Sequence, residues 1–287
     1  VGGITFAQSQ DPSMAASDMN ALMEREKKRF AGAELAGKTL GVVGLGSIGS
    51  LVARLGLDFG MDVVGFDPAL SVEAAWRLPS EVQRMDNVQS LVSRSDFVSL
   101  HLPVLESTRG LVNGEMLNNF KKGSCLLNFA REEVVSTEAV VAALDNGQLR
   151  RYVADFPNPI LLGRDDALLM PHIGASTAEA EENCAVMAAN QLRAFLEHGN
   201  IRNSVNFPAI ELERTTEFRI TIANRNEPGM LSDILTLIGE DGLNVADLLN
   251  KSVGNIAYNI IDLDETPQQM LLEKIIGLEG VVNMRLI

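Results

Sequence analysis

The chain has 287 residues, 46% of them hydrophobic, and this length and composition predict about two packed domains. Its formal net charge is −14 with acids and bases interspersed, which argues against nucleic-acid binding because neutralising phosphates requires a basic patch. Cys125 and Cys184 stand apart from each other, and no run of residues is typical of a signal peptide or a membrane span. We therefore expect a cytoplasmic protein without disulfides, bound metal, nucleic-acid partners or membrane contact.

Residues 1–35 form an N-terminal segment whose second half has helical spacing. From Lys38 to about Ala167, helical stretches alternate with short apolar runs at 39–43, 61–66, 96–100, 124–129, 151–156 and 167–170. Such alternation predicts an α/β domain, a Rossmann-type doubly wound parallel sheet covered by helices on both faces. We place this domain at 36–198, closing with a long helix that begins at a capping box formed by Ser176 and Glu179.

A polar stretch broken by Pro208 follows, and we interpret 199–215 as a linker. The predicted order of elements across 216–287 is different: strand, helix, strand, strand, helix, strand. That order predicts a small α+β domain of the ferredoxin-like kind, with two helices on one face of an antiparallel sheet.

The run "TLGVVGLGSIGSLVA" places Gly44, Gly46 and Gly49 in G-x-G-x-x-G register between an apolar strand and an amphipathic helix. This context is typical of a dinucleotide-binding turn, in which the helix N-terminus faces a pyrophosphate. Asp67 follows the second strand, where a carboxylate accepts hydrogen bonds from a ribose diol and disfavours a 2′-phosphate, so we expect NAD. The alternative is a glycine-rich turn followed by an ordinary surface aspartate.

Polar residues follow the remaining strands of this domain: His101 and Pro103, Asn128 and Arg131, Asp155, and finally His172. Hydride transfer at a hydroxyl-bearing carbon needs an acid/base of near-neutral pKa, which suits a histidine. An arginine holds a substrate carboxylate in a bidentate way. The alternatives stay open at this point, since His172 also suits a helix-flanking position and Arg131 a charged surface.

The motifs "GKTLGVVGLGSIG", "LLNFAR", "PHIGAST" and "GNIRNSVNFP" resemble, in order and spacing, the D-2-hydroxyacid dehydrogenase family, and within it the phosphoglycerate dehydrogenases that carry a C-terminal ACT domain. The resemblance implies NAD-dependent oxidation of 3-phosphoglycerate to 3-phosphohydroxypyruvate, the first step of serine biosynthesis. It implies Arg131 as the substrate-binding cation, His172 as the acid/base and Asp155 as the ligand of the nicotinamide carboxamide. The cofactor-binding residues that we expect are Gly44, Gly46, Ser47, Ile48, Gly49, Asp67, His101, Pro103, Ala130, Asp155 and Gly174.

Three departures from the family pattern stand out. Asn158 occupies the place of a glutamate that pairs with the histidine, and an amide does not support an imidazolium as a carboxylate does. The partner of His172 is therefore either missing or supplied by another residue.

The family's "ARGG" is "AREE" at 130–133, which crowds two acids next to the cation. The chain also begins after the point at which the family's substrate-binding domain ends, so we expect a fragment or an incomplete product.

The resemblance to ACT domains implies an L-serine effector held between paired domains, in a homodimer or homotetramer. Asn226 and Asn244 match the family's amide ligands, and Asn224 stands where the family often has a histidine. The local alternative is that these amides cap turns and helix starts.

Two other functions compete with the leading one. The chain is either a dehydrogenase for another 2-hydroxy acid, such as glycerate, or a catalytically idle module that binds NAD and serine. The ACT-like domain argues against the first of these, whereas Asn158 and the abrupt start favour the second.

Overall fold

In the computed structural model, the chain forms two compact units that divide between Ile173 and Gly174. The structure describes residues 2–70 and 72–287, so Val1 of the predicted N-terminal segment lies outside the described residues. The division places the long helix of 178–198 in the second unit, whereas we assigned it to the nucleotide domain. The limits predicted for the four segments, 1–35, 36–198, 199–215 and 216–287, stay predictions.

The first unit alternates strands and helices in chain order after two N-terminal helices. Its elements are α1 (Gly2–Gln8), α2 (Ala16–Glu26), β1 (Thr39–Val43), α3 (Ser47–Asp58), β2 (Asp62–Phe66), α4 (Val72–Arg77), β3 (Gln83–Arg84), α5 (Val88–Arg94), β4 (Phe97–Leu100), α6 (Gly114–Asn118), β5 (Ser124–Asn128), α7 (Thr137–Asp145), β6 (Leu149–Ala154) and β7 (Ala167–Leu169). The two-residue strand β3 was not predicted, because it is too short to show any hydrophobic pattern.

Within the described ranges these strands form a seven-stranded sheet in the order β3-β2-β1-β4-β5-β6-β7. Each neighbouring pair is parallel. The predicted doubly wound parallel sheet is therefore confirmed. The strand order reverses next to β1, which is where open α/β sheets bind ligands.

Consecutive residues of the central strands supply two different cores. Val42 of β1 and Val63 of β2 pack with Ala53 of α3. Their neighbours Val43 and Val64 belong to the other cluster, which contains the apolar faces of α5, α6 and α7. Burial on both faces explains why the strands are apolar throughout rather than alternating.

The second unit contains α8 (Ala178–His198), β8 (Phe218–Arg225), α9 (Met230–Glu240), β9 (Val245–Val253), β10 (Ile256–Leu263), α10 (Gln269–Ile276) and β11 (Val281–Leu286). In the part of the chain that the structure describes, its strands form an antiparallel sheet in the order β11-β8-β10-β9. Apolar residues of α9 and α10 pack with Ile220, Ile222 and Ile261 in one core. The predicted ferredoxin-like order is confirmed.

Helix α8 begins one residue away from its predicted start. Thr177, rather than Ser176, is the N-cap, and its hydroxyl accepts a hydrogen bond from the Ala180 N–H at 3.1 Å. The helix ends at Gly199 in the left-handed conformation, as the sequence predicted. None of the helices in the described ranges combines the length and the apolarity needed to cross a membrane.

A fully buried ion pair ties together the sheet of the second unit. Arg219 of β8 donates to both carboxylate oxygens of Asp262 in β10, with the Nη2–Oδ2 distance at 2.9 Å. The guanidinium also donates to the carbonyl groups of His198, Leu212 and Glu213, so it joins the end of α8 to the chain that precedes β8. A buried charge is tolerated when it is paired and hydrogen-bonded in this way.

The substitution Asp262→Asn leaves the Arg219 charge buried without its counterion. We expect it to lower the free energy of unfolding of the second unit by about 3–5 kcal/mol. Hydrogen exchange of the backbone amides of β8 and β10 measures this loss, because local protection follows local stability. The exposed Glu265→Gln removes one acidic charge from the loop after β10 and serves as the control. Equal protection in both variants would contradict the expected role of the pair.

Candidate functional site

The carboxyl ends of the parallel strands lie along one edge of the larger sheet. The predicted site residues of the first unit follow these ends in turn: the glycine loop after β1, Asp67 after β2, His101 and Pro103 after β4, Ala130 and Arg131 after β5, Asp155 after β6 and His172 after β7. Parallel pairing therefore brings residues that are far apart in sequence to the same edge.

The glycine loop approaches the backbone of its neighbours too closely for larger residues. Gly44 has φ +91°, and a Cβ on it would lie 2.4 Å from the carbonyl oxygen of His101. A Cβ on Gly49 would lie 1.9 Å from the carbonyl oxygen of Gly44. Gly46 differs, since a Cβ there would meet nothing within 4 Å. The first and third glycines are thus required by packing, and the second leaves open space in front of the loop.

The open space lies at the N-terminus of α3. Gly46 is the N-cap and has no side chain to satisfy the first N–H groups of the helix, and Ser47 and Ile48 are exposed. Unpaired N–H groups and the positive end of the helix dipole favour an anion at this point. The loop therefore fits the pyrophosphate of a dinucleotide.

Asp67 is held beside this loop by the backbone. One carboxylate oxygen accepts from the Leu45 N–H at 2.8 Å and the other from the Ala69 N–H at 2.9 Å. A cavity of about 950 Å³ adjoins it, with Trp76 and Arg84 in its lining. Because each carboxylate oxygen has more than one acceptor site, Asp67 retains capacity for the hydroxyl groups of a ribose.

His101 and Pro103 form the turn after β4. The His101 Nε2 atom lies 2.9 Å from the Ser99 hydroxyl oxygen, and burial lowers the pKa of His101 to about 4. His101 is therefore neutral near neutral pH. The Thr108 hydroxyl donates to the Pro103 carbonyl oxygen at 2.6 Å, which holds the turn in place.

Arg131 is exposed and sits in a loop that a buried amide organises. Asn128, which is 0% exposed, donates from Nδ2 to the Arg131 carbonyl oxygen at 3.0 Å and accepts from the Ala130 N–H at 3.2 Å. The guanidinium bonds one backbone carbonyl, that of Ala130, at 2.6 Å. Sequence reasoning placed Asn128 at the strand end but gave it no role. The signal was a polar residue directly after a buried apolar run.

His172 has a carboxylate partner. Its Nδ1 atom lies 2.9 Å from Oδ2 of Asp155, and its ring packs on that of Phe156 with 5.1 Å between centroids. The amide of Asn158 is used locally, because its oxygen accepts from the Ile160 N–H and caps a short 3-10 turn. Of the two alternatives predicted for the partner of His172, the structure therefore shows the second, a carboxylate from another residue.

Gly174 is exposed and begins the second unit. In the ranges that the structure describes, no group of three or more His, Cys, Asp or Glu side chains is arranged to hold a metal ion.

The three asparagines predicted to bind an effector are not brought together within one chain. Asn224 is buried and both ends of its amide are used, since Nδ2 donates to the Arg225 carbonyl and Oδ1 accepts from Asn259. Asn226 is exposed at the same end of the sheet. Asn244 is exposed at the opposite end, next to the pairing of Val245 with Leu263. Along β10 the two ends are seven residue steps apart, from Ile256 to Leu263, or about 23 Å.

Comparisons with known proteins agree with this geometry. Residues 7–174 match the family model described as "D-isomer specific 2-hydroxyacid dehydrogenase, NAD binding domain". The match ends where the first compact unit ends, so the resemblance of the second unit to an ACT domain rests on its fold and its motifs.

Curated relatives extend the similarity into the second unit. The chain is 33% identical over 267 residues to D-3-phosphoglycerate dehydrogenase of Haemophilus influenzae, covering 88% of this chain and 64% of the relative. It is 33% identical over 247 residues to the enzyme of the same name from Methanocaldococcus jannaschii, covering 84% and 46%. The chain thus spans about half to two thirds of the length of these relatives.

Among solved structures, the apo form of D-mandelate dehydrogenase from Rhodotorula graminis matches with a TM-score of 0.56 and 28% identity. The match covers 66% of this chain and 55% of that one.

Substitutions at the exposed Gly46 and the buried Gly49 separate cofactor binding from folding. We expect Gly46→Ala to weaken NADH binding about tenfold or more without changing thermal stability, because its Cβ enters open space that the pyrophosphate needs. Gly49→Ala places its Cβ against the Gly44 carbonyl, so we expect it to destabilise the first unit as well. NADH fluorescence titration and thermal denaturation measure the two effects. Equal losses of stability in both variants would contradict this division.

Neutral His101 makes the stability of the first unit depend on pH. Its pKa of about 4 lies below the ordinary value of 6.5, so the folded state binds fewer protons than the unfolded state between these values. Stability is fully present above pH 6.5 and falls as the pH drops toward 4. We expect His101→Gln to lose less stability than the parent chain between neutral pH and about pH 5, measured by urea unfolding. The exposed His198→Gln is the control, and an unchanged pH dependence in His101→Gln would contradict the assignment.

Proposed function

The chain belongs to the D-isomer specific 2-hydroxyacid dehydrogenase family, and we propose that it oxidises a 2-hydroxy acid by hydride transfer to NAD. The observation that carries the proposal is the imidazole of His172, held by a carboxylate at the same sheet edge as a pyrophosphate-binding glycine loop. An acid/base next to a dinucleotide site is what alcohol oxidation requires.

The cofactor supplies the acceptor for the hydride that leaves the substrate carbon. Gly44, Gly46 and Gly49 shape the turn at its pyrophosphate, with the N–H groups of Ser47 and Ile48 at the start of α3. Asp67 accepts from the ribose hydroxyls, which favours NAD over NADP. His101, Pro103 and Ala130 border the site after β4 and β5, and Gly174 follows His172.

The nicotinamide carboxamide fits a specific atom of the first unit. Oδ1 of Asp155 is buried, and it has no hydrogen-bond partner among the residues that the structure describes. A buried acceptor without a partner is costly, and an amide N–H₂ supplies the missing donor. We therefore assign the carboxamide to Asp155.

Arg131 and His172 act on the substrate. The guanidinium of Arg131 bonds one backbone carbonyl in this structure and keeps donors for a bidentate contact with the substrate carboxylate. The Nδ1 atom of His172 is engaged by Asp155, which leaves Nε2 to take the proton of the substrate hydroxyl as the hydride departs. In the reverse direction the same nitrogen returns the proton to the carbonyl oxygen.

We propose 3-phosphoglycerate as the substrate, with 3-phosphohydroxypyruvate as the product. The similarity to the two enzymes named D-3-phosphoglycerate dehydrogenase supports this choice, because it runs through the second unit as well as the first. Another 2-hydroxy acid such as glycerate, and an idle module that binds NAD and serine, are the competing functions. The second is favoured by Asn158, whose amide caps the 3-10 turn and offers no carboxylate to His172.

We also propose that L-serine binds between two chains. Asn226 and Asn244 are exposed but lie at opposite ends of the sheet, so a site that contains both needs a homodimer or a homotetramer. Asn224, whose amide is buried and satisfied, fits this site less well.

The proposed reaction is tested in the reverse direction, with NADH and 3-phosphohydroxypyruvate as the substrates. The loss of NADH absorbance measures the rate. We expect turnover that falls at least about a hundredfold in His172→Gln, which removes the acid/base, with NADH binding retained. The exposed His198→Gln is the matched control and is expected to keep full activity.

Substrate choice follows from the same assay. If 3-phosphohydroxypyruvate is the substrate, hydroxypyruvate, which lacks the phosphate group, should react more slowly than it does. Tight NADH binding without turnover on either compound would favour the idle module, and turnover that survives His172→Gln would contradict the acid/base assignment.

A further inference from the structure

Neighbouring strand ends bring Asp155 and His172 together. Strands β6 and β7 are paired in parallel, with Ala154 opposite Leu169. The Met170 N–H continues the pairing by donating to the Ala154 carbonyl at 3.0 Å. Asp155 follows Ala154 directly, and His172 comes two residues after Met170. Their contact is therefore set by the sheet rather than by a flexible loop.

The carboxylate is more deeply buried than the imidazole that it contacts. Asp155 is 7% exposed, whereas the side chain of His172 is 57% exposed. A buried group can orient an exposed one, because its own rotamer is set by packing. The ring of Phe156 lies against the imidazole at 34° and limits its rotation from a second side.

The hydrogen bond determines which ring nitrogen carries the proton. An ionised carboxylate only accepts, so Nδ1 of a neutral His172 must be the donor to Oδ2. The lone pair is then on Nε2. This is the form that accepts a proton from a substrate hydroxyl.

We propose that Asp155 is the positioning residue of His172, and that the same carboxylate therefore serves the acid/base through Oδ2 and the cofactor through Oδ1. The proposal rests on the proposed function for its cofactor half, whereas the Asp155–His172 half stands on the geometry alone. Because one carboxylate contacts both groups, binding of the nicotinamide is linked to the orientation of the His172 imidazole.

The tautomer of His172 tests the first half without substrate or cofactor. Long-range ¹H–¹⁵N spectra of the chain, recorded at mildly alkaline pH, distinguish a proton on Nδ1 from one on Nε2. The chain has three histidines, so the spectrum is simple, and His172→Gln identifies the signal of interest. We expect the Nδ1–H form in the parent chain, and a predominant Nε2–H form would overturn the proposal whatever the variants do.

Removing the carboxylate completes this test. In Asp155→Ala we expect the Nδ1–H population of His172 to fall, because the acceptor is gone. Asp165→Ala is the matched control, since Asp165 is exposed in the turn before β7. An Nδ1–H form that persists in folded Asp155→Ala would also overturn the proposal. If that variant does not fold, the measurement on the parent chain decides.

Cofactor titration tests the second half. We expect NAD⁺ to shift the ring signals of His172 in the parent chain but not in Asp155→Ala. We also expect Asp155→Ala to weaken NADH binding about tenfold, as the loss of one charge-assisted hydrogen bond does, with Asp165→Ala unchanged. Unaltered NADH affinity in Asp155→Ala would refute the shared carboxylate.

The positioning role of Asp155 and the proposed enzymatic function are separable by experiment. A parent chain that shows the Nδ1–H tautomer but binds no NADH would leave the positioning role intact and remove the proposed function. A chain that turns over with an Nε2–H tautomer would do the reverse.

Discussion

The single direction of the strands in the larger sheet is the constraint on which the proposed chemistry depends. Because every neighbouring pair is parallel, all carboxyl ends share one edge, and each strand delivers its next residue to that edge. The glycine loop, the carboxylate of Asp67, the guanidinium of Arg131 and the imidazole of His172 all follow strand ends at that edge, although they are spread over more than a hundred residues of sequence. An antiparallel order would have sent half of them to the opposite edge.

The same constraint gives His172 a carboxylate neighbour although position 158 is an asparagine. The end of β6 offers the carboxylate of Asp155 to the end of β7, so His172 has an acid partner that is adjacent through the sheet. Asn158 meanwhile caps the turn that carries the chain between these strands. Asp155 is buried, so the carboxylate end of this hydrogen bond is shielded from solvent.

The second unit depends on a different interaction, the buried pair of Arg219 and Asp262. Burial by itself would raise the pKa of Asp262, but the hydrogen bonds from Arg219 and from the Thr215 N–H outweigh it and hold the pKa below 3.8. Stability from this pair is therefore present above that value and is lost only as the pH falls through the lower folded pKa. A neighbouring row of hydrogen-bonded amides, Asn224, Asn250 and Asn259, further specifies how the strands align.

The sequence by itself determined the features that depend on local spacing. The glycine register, the alternation of apolar runs with helices and the ferredoxin-like order were all readable, because turn chemistry and hydrophobic periodicity act over a few residues. Tertiary structure alone decided which side chain pairs with His172 and that Asn224 is buried while Asn226 and Asn244 lie at opposite sheet ends. These outcomes depend on strand neighbours and register, which arise from packing between segments distant in the chain and leave no periodic trace in either segment.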